Sequence, residues 1–334
     1  MKKTFPLIIS VALVFFALNI HAQEKPTVLS TRTKKQIVDT IAKKLNDNYV
    51  FADTALRMGR YIQTRLKNGS YDTIKNPKVF ADKLNEDIWS IYHDGHFGIR
   101  YSTPIADSIP KKYADTETLK RRQAFARRVN YGVSKVEILD GNIGYIKIDG
   151  FWGVIKQSKS VVNAAFRFVA NSNALLIDLR ENHGGDPEMV TYMAGFLFKN
   201  KTHLNDLYER RSKHLDQFWT VPDTSFSIAD IPLYILTDKT TFSAGEEFTY
   251  DLQAQKRAIV IGESTGGGAH PVEPQNVGYG FVADIPFARA INPITKTNWE
   301  KTGVKPDVEV AAHNALDIAL EKIKTTAAPT VNNH

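Results

Sequence analysis

The chain has 334 residues, of which 43% are apolar, 24% charged and 10% aromatic, the balance of a globular protein rather than a disordered, collagenous or coiled-coil one. It contains no cysteine, which excludes a disulfide scaffold, a thiolate zinc site, an iron–sulfur cluster and a lipidated cysteine anchor, and leaves only an oxygen or an amine as a nucleophile. The formal net charge of +7 falls to about +5 once the two lysines of the leader are set aside, too little over this length to indicate a polyanion partner.

Residues 1–22, MKKTFPLIISVALVFFALNIHA, read as a secretory signal peptide. Lys2 and Lys3 precede an apolar run from Phe5 to Leu18 that is short for a bilayer span, and Ala22 offers a cleavage point. An exported chain follows, periplasmic or secreted, with no stable membrane anchor. Residues 23–100 predict a small helical domain: Ile37, Val38, Ile41, Ala42 and Leu45 recur at helical spacing over 33–46, and 55–66 and 79–91 repeat the pattern. Residues 101–134 read as a connector with one helix. Its Lys120, Arg121, Arg122, Arg127 and Arg128 lack the interleaved aromatics or glycines of a nucleic-acid module and form a solvated face, so no nucleic acid is expected.

From 135 to 325 strands and helices alternate. Strands are expected at 143–148, 174–179, 233–237 and 258–262, with helices at 158–170, 188–198 and 244–254 between them. Residues 279–285 resemble a hairpin or edge strand, 314–324 a closing helix, and 326–334 a flexible tail. This order predicts an α/β fold with parallel strands and right-handed crossovers.

Chemistry concentrates at three turns. Thr241-Phe242-Ser243-Ala244-Gly245-Glu246 follows an apolar strand and opens a helix. A serine at such a turn projects from the strand's carboxyl edge, where free helix N–H groups can receive an oxyanion. The same serine also suits an N-cap, with Glu246 completing a capping box. Asp178-Leu179-Arg180-Glu181-Asn182-His183-Gly184-Gly185 is a second strand-to-helix turn, whose glycines serve either a close backbone approach to a ligand or the turn itself. Gly266, Gly267 and Gly268, followed by His270, form either a mobile lip over a cleft or a plain connection; the lysine and spacing of a phosphate loop are missing. His93-Asp94-Gly95-His96 shows no HExxH and no evident third ligand, so no metal and no cofactor is expected.

Together with Asn48-Tyr49-Val50-Phe51, Asn142-Ile143-Gly144-Tyr145 and Asn298-Trp299-Glu300-Lys301-Thr302-Gly303, these segments resemble the tail-specific (C-terminal-processing) serine protease family over nearly the whole mature chain. Within it they resemble the branch containing the tricorn protease core and interphotoreceptor retinoid-binding protein. The resemblance implies a crotonase-like, ClpP-like α/β core with a small N-terminal helical bundle and the active site between them. It implies Ser243 as nucleophile, His96 as general base and Glu300 as the carboxylate orienting that base. Backbone N–H groups at Gly184 and Ala244 would form the oxyanion hole, with Gly185 keeping the turn open. A serine is a poor nucleophile until an imidazole takes its proton, and the carboxylate fixes the tautomer of that imidazole.

Three departures from the family pattern shape the expectation. The lysine of the serine–lysine dyad would fall at Gly268, and Lys256 lies at the far end of the intervening helix, so the dyad fails. Gly95 stands where tricorn-like members carry a serine before the histidine, which removes a hydroxyl relay. The connector is too short for a PDZ module. His270 is a rival base. The expected function is an exported serine endopeptidase acting on oligopeptides or unfolded protein; the alternatives are a catalytically silent ligand-binding protein on the same fold and an esterase-type acyl hydrolase.

Overall fold

The computed structural model describes residues 28–102, 116–152, 155–222 and 226–327. The expected signal peptide, and most of the expected tail, lie outside these residues. Three helices come first: α1 (Thr31–Asn48), α2 (Ala52–Lys67) and α3 (Pro77–Trp89). Their starts follow local chemistry. Ser30 Oγ accepts the Thr33 N–H at 3.0 Å to cap α1, and Asn76 Oδ1 accepts from Lys78 and Val79 ahead of α3, with Pro77 in the first turn. The buried stripe of α1 contains Ile37, Val38, Ile41, Ala42 and Leu45, the set its periodicity predicts.

The three helices pack on one another as the expected small bundle. Their core is completed by β1 (Gly98–Tyr101) and by β9 (Val272–Gly278) and β10 (Phe281–Pro286), an antiparallel sheet of order β1-β10-β9 drawn from both ends of the sequence. Phe281, Ala283 and Ile285 are buried among Ile41, Phe80 and Leu84, and the Phe80 and Phe281 rings meet edge to face at 6.0 Å. The helical leader is thereby fastened to the later half of the chain. Within the expected connector, α4 (Thr116–Arg128) is the one helix predicted.

The central sheet contains β2 (Val133–Leu139), β3 (Ile143–Ile148), β4 (Ala174–Asp178), β7 (Leu233–Thr237), β8 (Ala258–Gly262) and β12 (Val308–Glu309), in the order β12-β8-β7-β4-β3-β2. All pairs are parallel except β2 with β3. Helices α5 (Ile155–Phe168), α6 (Pro187–Ala194), α7 (Ala244–Ala254) and α8 (Ala315–Ala327) accompany it. Every residue of β4 and β7 is buried, because both faces are covered. Leu175, Ile177, Leu233 and Ile235 pack with Phe166, Met193 and Phe248 on one side; Leu176, Tyr234 and Leu236 pack with Ala315 and Ala319 on the other.

A further antiparallel sheet, β11-β5-β6, joins β5 (His203–Glu209), β6 (His214–Trp219) and β11 (Ala288–Ile291). Sequence patterning misses it because β6 buries no continuous face.

Candidate active site

Two neighbouring parallel strands end side by side and carry the site, as expected at the carboxyl edge of an open α/β sheet. β4 runs into the turn through Asn182, Gly184 and Gly185, and β7 into the turn through Asp238, Thr241 and Ser243. Asp238 fastens one to the other: Oδ1 accepts the Thr240 and Thr241 N–H groups, while Oδ2 accepts the Glu181 N–H at 3.1 Å. Thr241 Oγ1 donates to the Leu179 carbonyl and Phe242 N–H to the Asn182 carbonyl. The contact is close enough to demand glycine. A methyl on Gly184 would lie 2.7 Å from Ser243 Cβ, at a φ of +97° that side chains avoid.

Ser243 precedes α7 at φ 55°, ψ −120°, a conformation a non-glycine residue holds only when its surroundings impose it. The predicted capping box is present: Glu246 Oε2 accepts the Ser243 N–H at 2.9 Å, and Ser243 Oγ, besides facing the Glu246 N–H, is hydrogen-bonded to His96 Nε2 at 3.0 Å. Glu246 then does more than cap. Its buried carboxylate also accepts from Thr265 Oγ1 and from the Gly267 and Gly268 N–H groups, at 2.5, 2.6 and 2.8 Å. Burial raises its proton affinity and these four donors oppose that rise. The glycine loop is therefore a pinned wall rather than a free lip: Gly266 N–H reaches the Thr241 carbonyl, and the Gly267 and Gly268 carbonyls receive Lys301 N–H and Trp299 Nε1–H.

His96 arrives from the end of the helical segment. Asp94 Oδ1 accepts its backbone N–H at 3.0 Å, and its ring packs on Phe242 with centroids 4.6 Å apart. Burial lowers its pKa to about 4, reinforced by His270 and resisted by the Asp94 charge. The ring that faces Ser243 is thus neutral over the physiological range, as a general base would have to be. With Nε2 accepting from Ser243, the proton sits on Nδ1, which is buried with no acceptor.

That orphaned nitrogen marks a departure from the expected triad. Glu300 makes no hydrogen bond to His96. Its Oε2 accepts the Ala269 N–H at 2.8 Å and lies 3.4 Å from His270 Nδ1, while Oε1 is buried without a partner. Burial pushes the Glu300 carboxyl up to about 7, with a further rise from Asp94 and opposition from His270. His270, the rival base, does not contact Ser243: its Nδ1 lies 2.8 Å from Asp94 Oδ2, which also accepts from Tyr49 at 2.9 Å. Burial pushes the Asp94 carboxyl up, but these hydrogen bonds hold it below the usual range. Asp94, His270 and Glu300 bring three possible ligand atoms within 4.8 Å of one another, the one set among the described residues that could hold a cation, and within it His270 is already hydrogen-bonded to Asp94. His93 belongs elsewhere, exposed against Trp89, and His183 is exposed. The geometry carries a prediction. Glu300→Gln should lower kcat/KM by no more than about tenfold, far short of the ~10⁴-fold loss expected for a carboxylate bonded directly to the base; steady-state kinetics on a peptide substrate measures it.

The backbone N–H groups expected near an oxyanion have different surroundings. Gly184 N–H is donated to Asn182 Oδ1 at 2.9 Å, whose Nδ2 in turn holds the Ile148 carbonyl. Gly184 is therefore the close-approach residue. Among the described residues, the N–H groups of Gly185 and Ala244 have no acceptor, and both residues line the cleft beside Ser243. Gly185 is held there by Phe151, which brackets it with hydrogen bonds to the Gly184 carbonyl and from the Asp186 N–H. The cleft has a volume of about 540 Å³ and passes between His96, Ser243 and Gly268 toward Leu207, Phe287 and Trp299.

Comparison with known proteins agrees with this architecture. Residues 142–310 match the model of peptidase family S41, and residues 23–139 match the N-terminal domain of that family as found in eukaryotic interphotoreceptor retinoid-binding protein. The chain belongs to peptidase family S41, a family of serine-type peptidases. It is 30% identical over 168 residues to carboxyl-terminal-processing peptidase 2, chloroplastic, of Arabidopsis thaliana, covering 49% of this chain and 31% of that protein. It is 28% identical over 129 residues to the tail-specific protease of Haemophilus influenzae, covering 38% of this chain and 17% of that one. The chain thus spans less than a third of the length of these curated relatives. Among solved structures, a putative peptidase from Parabacteroides merdae shares the fold with a TM-score of 0.64 at 18% identity, over 87% of this chain and 96% of that one.

Proposed function

We propose that this protein is an exported serine endopeptidase that cleaves oligopeptides or unfolded protein chains. The observation that carries the reading is the 3.0 Å contact between His96 Nε2 and Ser243 Oγ, made across 147 positions of sequence at a strained strand-to-helix turn. Family membership supports the peptidase chemistry, and the leader sequence supports export. Among the described residues no helix is long and apolar enough to cross a membrane.

Ser243 Oγ attacks the scissile carbonyl while His96 Nε2 takes its proton. The developing oxyanion is received by the Gly185 and Ala244 N–H groups, worth about 3 kcal/mol each when well aimed, with the positive end of α7 adding to them. The imidazolium is stabilised through space by Asp94, whose charge raises the proton affinity of His96. His96 then delivers the proton to the leaving amine, and a water activated in the same way releases the acyl group. Glu300, through His270 and Ala269, positions the wall next to the base.

The pH dependence follows from the base. Hydrolysis needs neutral His96; a folded-state pKa near 4 keeps that form present well below the usual histidine range. The acid limb of kcat/KM is therefore expected near pH 4–5, with activity rising as pH increases through it. A limb at pH 6.5–7 that moves with His96 substitution would contradict the assignment. The reading as a whole is tested by incubating the purified protein with denatured casein: fragments should appear with wild type and be absent with His96→Ala. A silent binding protein would give none with either.

A further inference from the structure

One buried group in the cleft takes no part in this chemistry. Glu247 lies one helical turn beyond Ser243 on α7 and lines the same cleft, yet is only 5% exposed. Its one hydrogen bond is accepted by Oε1 from Asn205 Nδ2 at 3.2 Å. The next turn of the helix carries Asp251, 1% exposed, with Oδ1 accepting from Asn292 Nδ2 at 3.0 Å and Oδ2 buried without a donor. Asn205 Oδ1 is likewise buried without a donor. Two buried acceptor atoms beside this stretch of helix, Asp251 Oδ2 and Asn205 Oδ1, therefore have no hydrogen-bond partner, and the Glu247 carboxyl accepts the single bond from Asn205. Among the described residues no lysine, arginine or histidine forms an ion pair with either carboxyl.

Burying carboxyl groups without a counter-charge is expensive, and proteins place them so chiefly where something else supplies the charge. Both carboxyls respond to the deficit by holding their protons more tightly, Glu247 through burial and Asp251 through burial and the charge of Glu247. The rest of the cleft points the same way. Its other charged lining groups are Asp186 and Arg122, paired with each other, and Glu273, so the lining carries three carboxyl groups against one guanidinium. The lining also includes the apolar side chains of Leu207, Phe287, Ala290 and Trp299.

A cleft lined by apolar side chains and by one buried carboxyl with a single hydrogen bond is complementary to a long aliphatic side chain tipped by a cation. We infer that Glu247, backed by Asp251 and Asn205, is the specificity-determining floor of the substrate cleft and selects arginine or lysine in a position flanking the scissile bond. The inference rests on the peptidase reading for the meaning of that position, whereas the preference for a cationic side chain can be measured without turnover.

Two measurements test it. The first is calorimetric titration of the Ser243→Ala protein with an acetylated tripeptide amide whose central residue is arginine or norleucine. The arginine peptide should bind at least tenfold more tightly, and Glu247→Gln introduced into the same protein should remove most of that difference. Equal affinities, or a difference untouched by Glu247→Gln, overturn the inference. The second uses unaltered protein and does not depend on the variant folding: mass-spectrometric mapping of the sites cut in denatured casein should show arginine and lysine enriched on one side of the cut, and benzamidine should compete where benzyl alcohol does not. Cleavage without that enrichment overturns the specificity and leaves the peptidase reading intact. Tighter binding of the arginine peptide by a folded wild-type protein that cuts nothing upholds the pocket chemistry and overturns the peptidase reading.

Discussion

Ser243→Ala should leave a folded protein whose hydrolysis of denatured casein is reduced by at least about 10⁴-fold. The side chain is hydrogen-bonded to His96, and the strained backbone is imposed from outside by Gly184, Asn182 and Glu246, so alanine inherits the same conformation. Loss of that bond changes stability by about 1 kcal/mol, while loss of the oxygen removes the covalent route altogether. What persists would be the residual acceleration from binding and the oxyanion donors. Matching urea unfolding curves for the two proteins, alongside the rate, separate a chemical loss from a structural one.

The second large effect is expected at Glu246, which touches no substrate. Truncation to alanine leaves the Ser243, Gly267 and Gly268 N–H groups and the Thr265 hydroxyl facing a cavity instead of a carboxylate. Each buried donor left unpaired costs about 1–3 kcal/mol, and the four act on two segments that meet only here, so a destabilisation of about 3–5 kcal/mol is expected in urea unfolding. Activity should fall with it, because the same carboxylate fixes the nucleophile's turn and the wall beside His96. Thr265→Ala removes one of the four donors, and also the acceptor for the Val304 N–H, and should cost markedly less. Equal stability of the Glu246→Ala and wild-type proteins would show that the loop is held by Trp299 and Lys301 instead.

The parts of this molecule that the sequence discloses are those whose reasons are local. Helix α1 follows from its apolar stripe and Ser30, and the buried strands β4 and β7 follow from uninterrupted apolar runs between turns. The turn at Ser243 is legible for the same reason, since strand, serine and helix are contiguous, but whether the hydroxyl caps its helix or meets a base is not a local matter. His96 lies 147 positions away, and only resemblance to a family joined the two. The contacts around the site differ in detail from those the resemblance implies. The resemblance put Glu300 against the base and Gly184 in the oxyanion hole, whereas Glu300 turns to Ala269 and His270, and Asn182 takes the Gly184 N–H.

Other functional groups left no sequence signal. Glu247 reads as an ordinary second acid in a helix's first turn, favourable to the dipole and usually solvated. Its burial depends on β5, a strand whose sequence His-Leu-Asn-Asp-Leu-Tyr-Glu alternates poorly, and on the segment around Asn292. The cover of the helical bundle is hidden for a related reason. Its periodicity shows a buried face but not what buries it, and the cover comes from β10, some two hundred residues later. Asp94 and Tyr49 were visible as parts of motifs, yet their shared contact with His270 appears only once those distant segments meet.

Exposure of the purified protein to a fluorophosphonate probe, read by intact mass and peptide mapping, addresses the nucleophile directly. A single adduct on Ser243 is expected, absent from Ser243→Ala and formed much more slowly by His96→Ala. A folded protein that takes up no probe at Ser243, or one that is labelled elsewhere and equally well after Ser243→Ala, would contradict the assignment of this serine and its histidine as the catalytic pair.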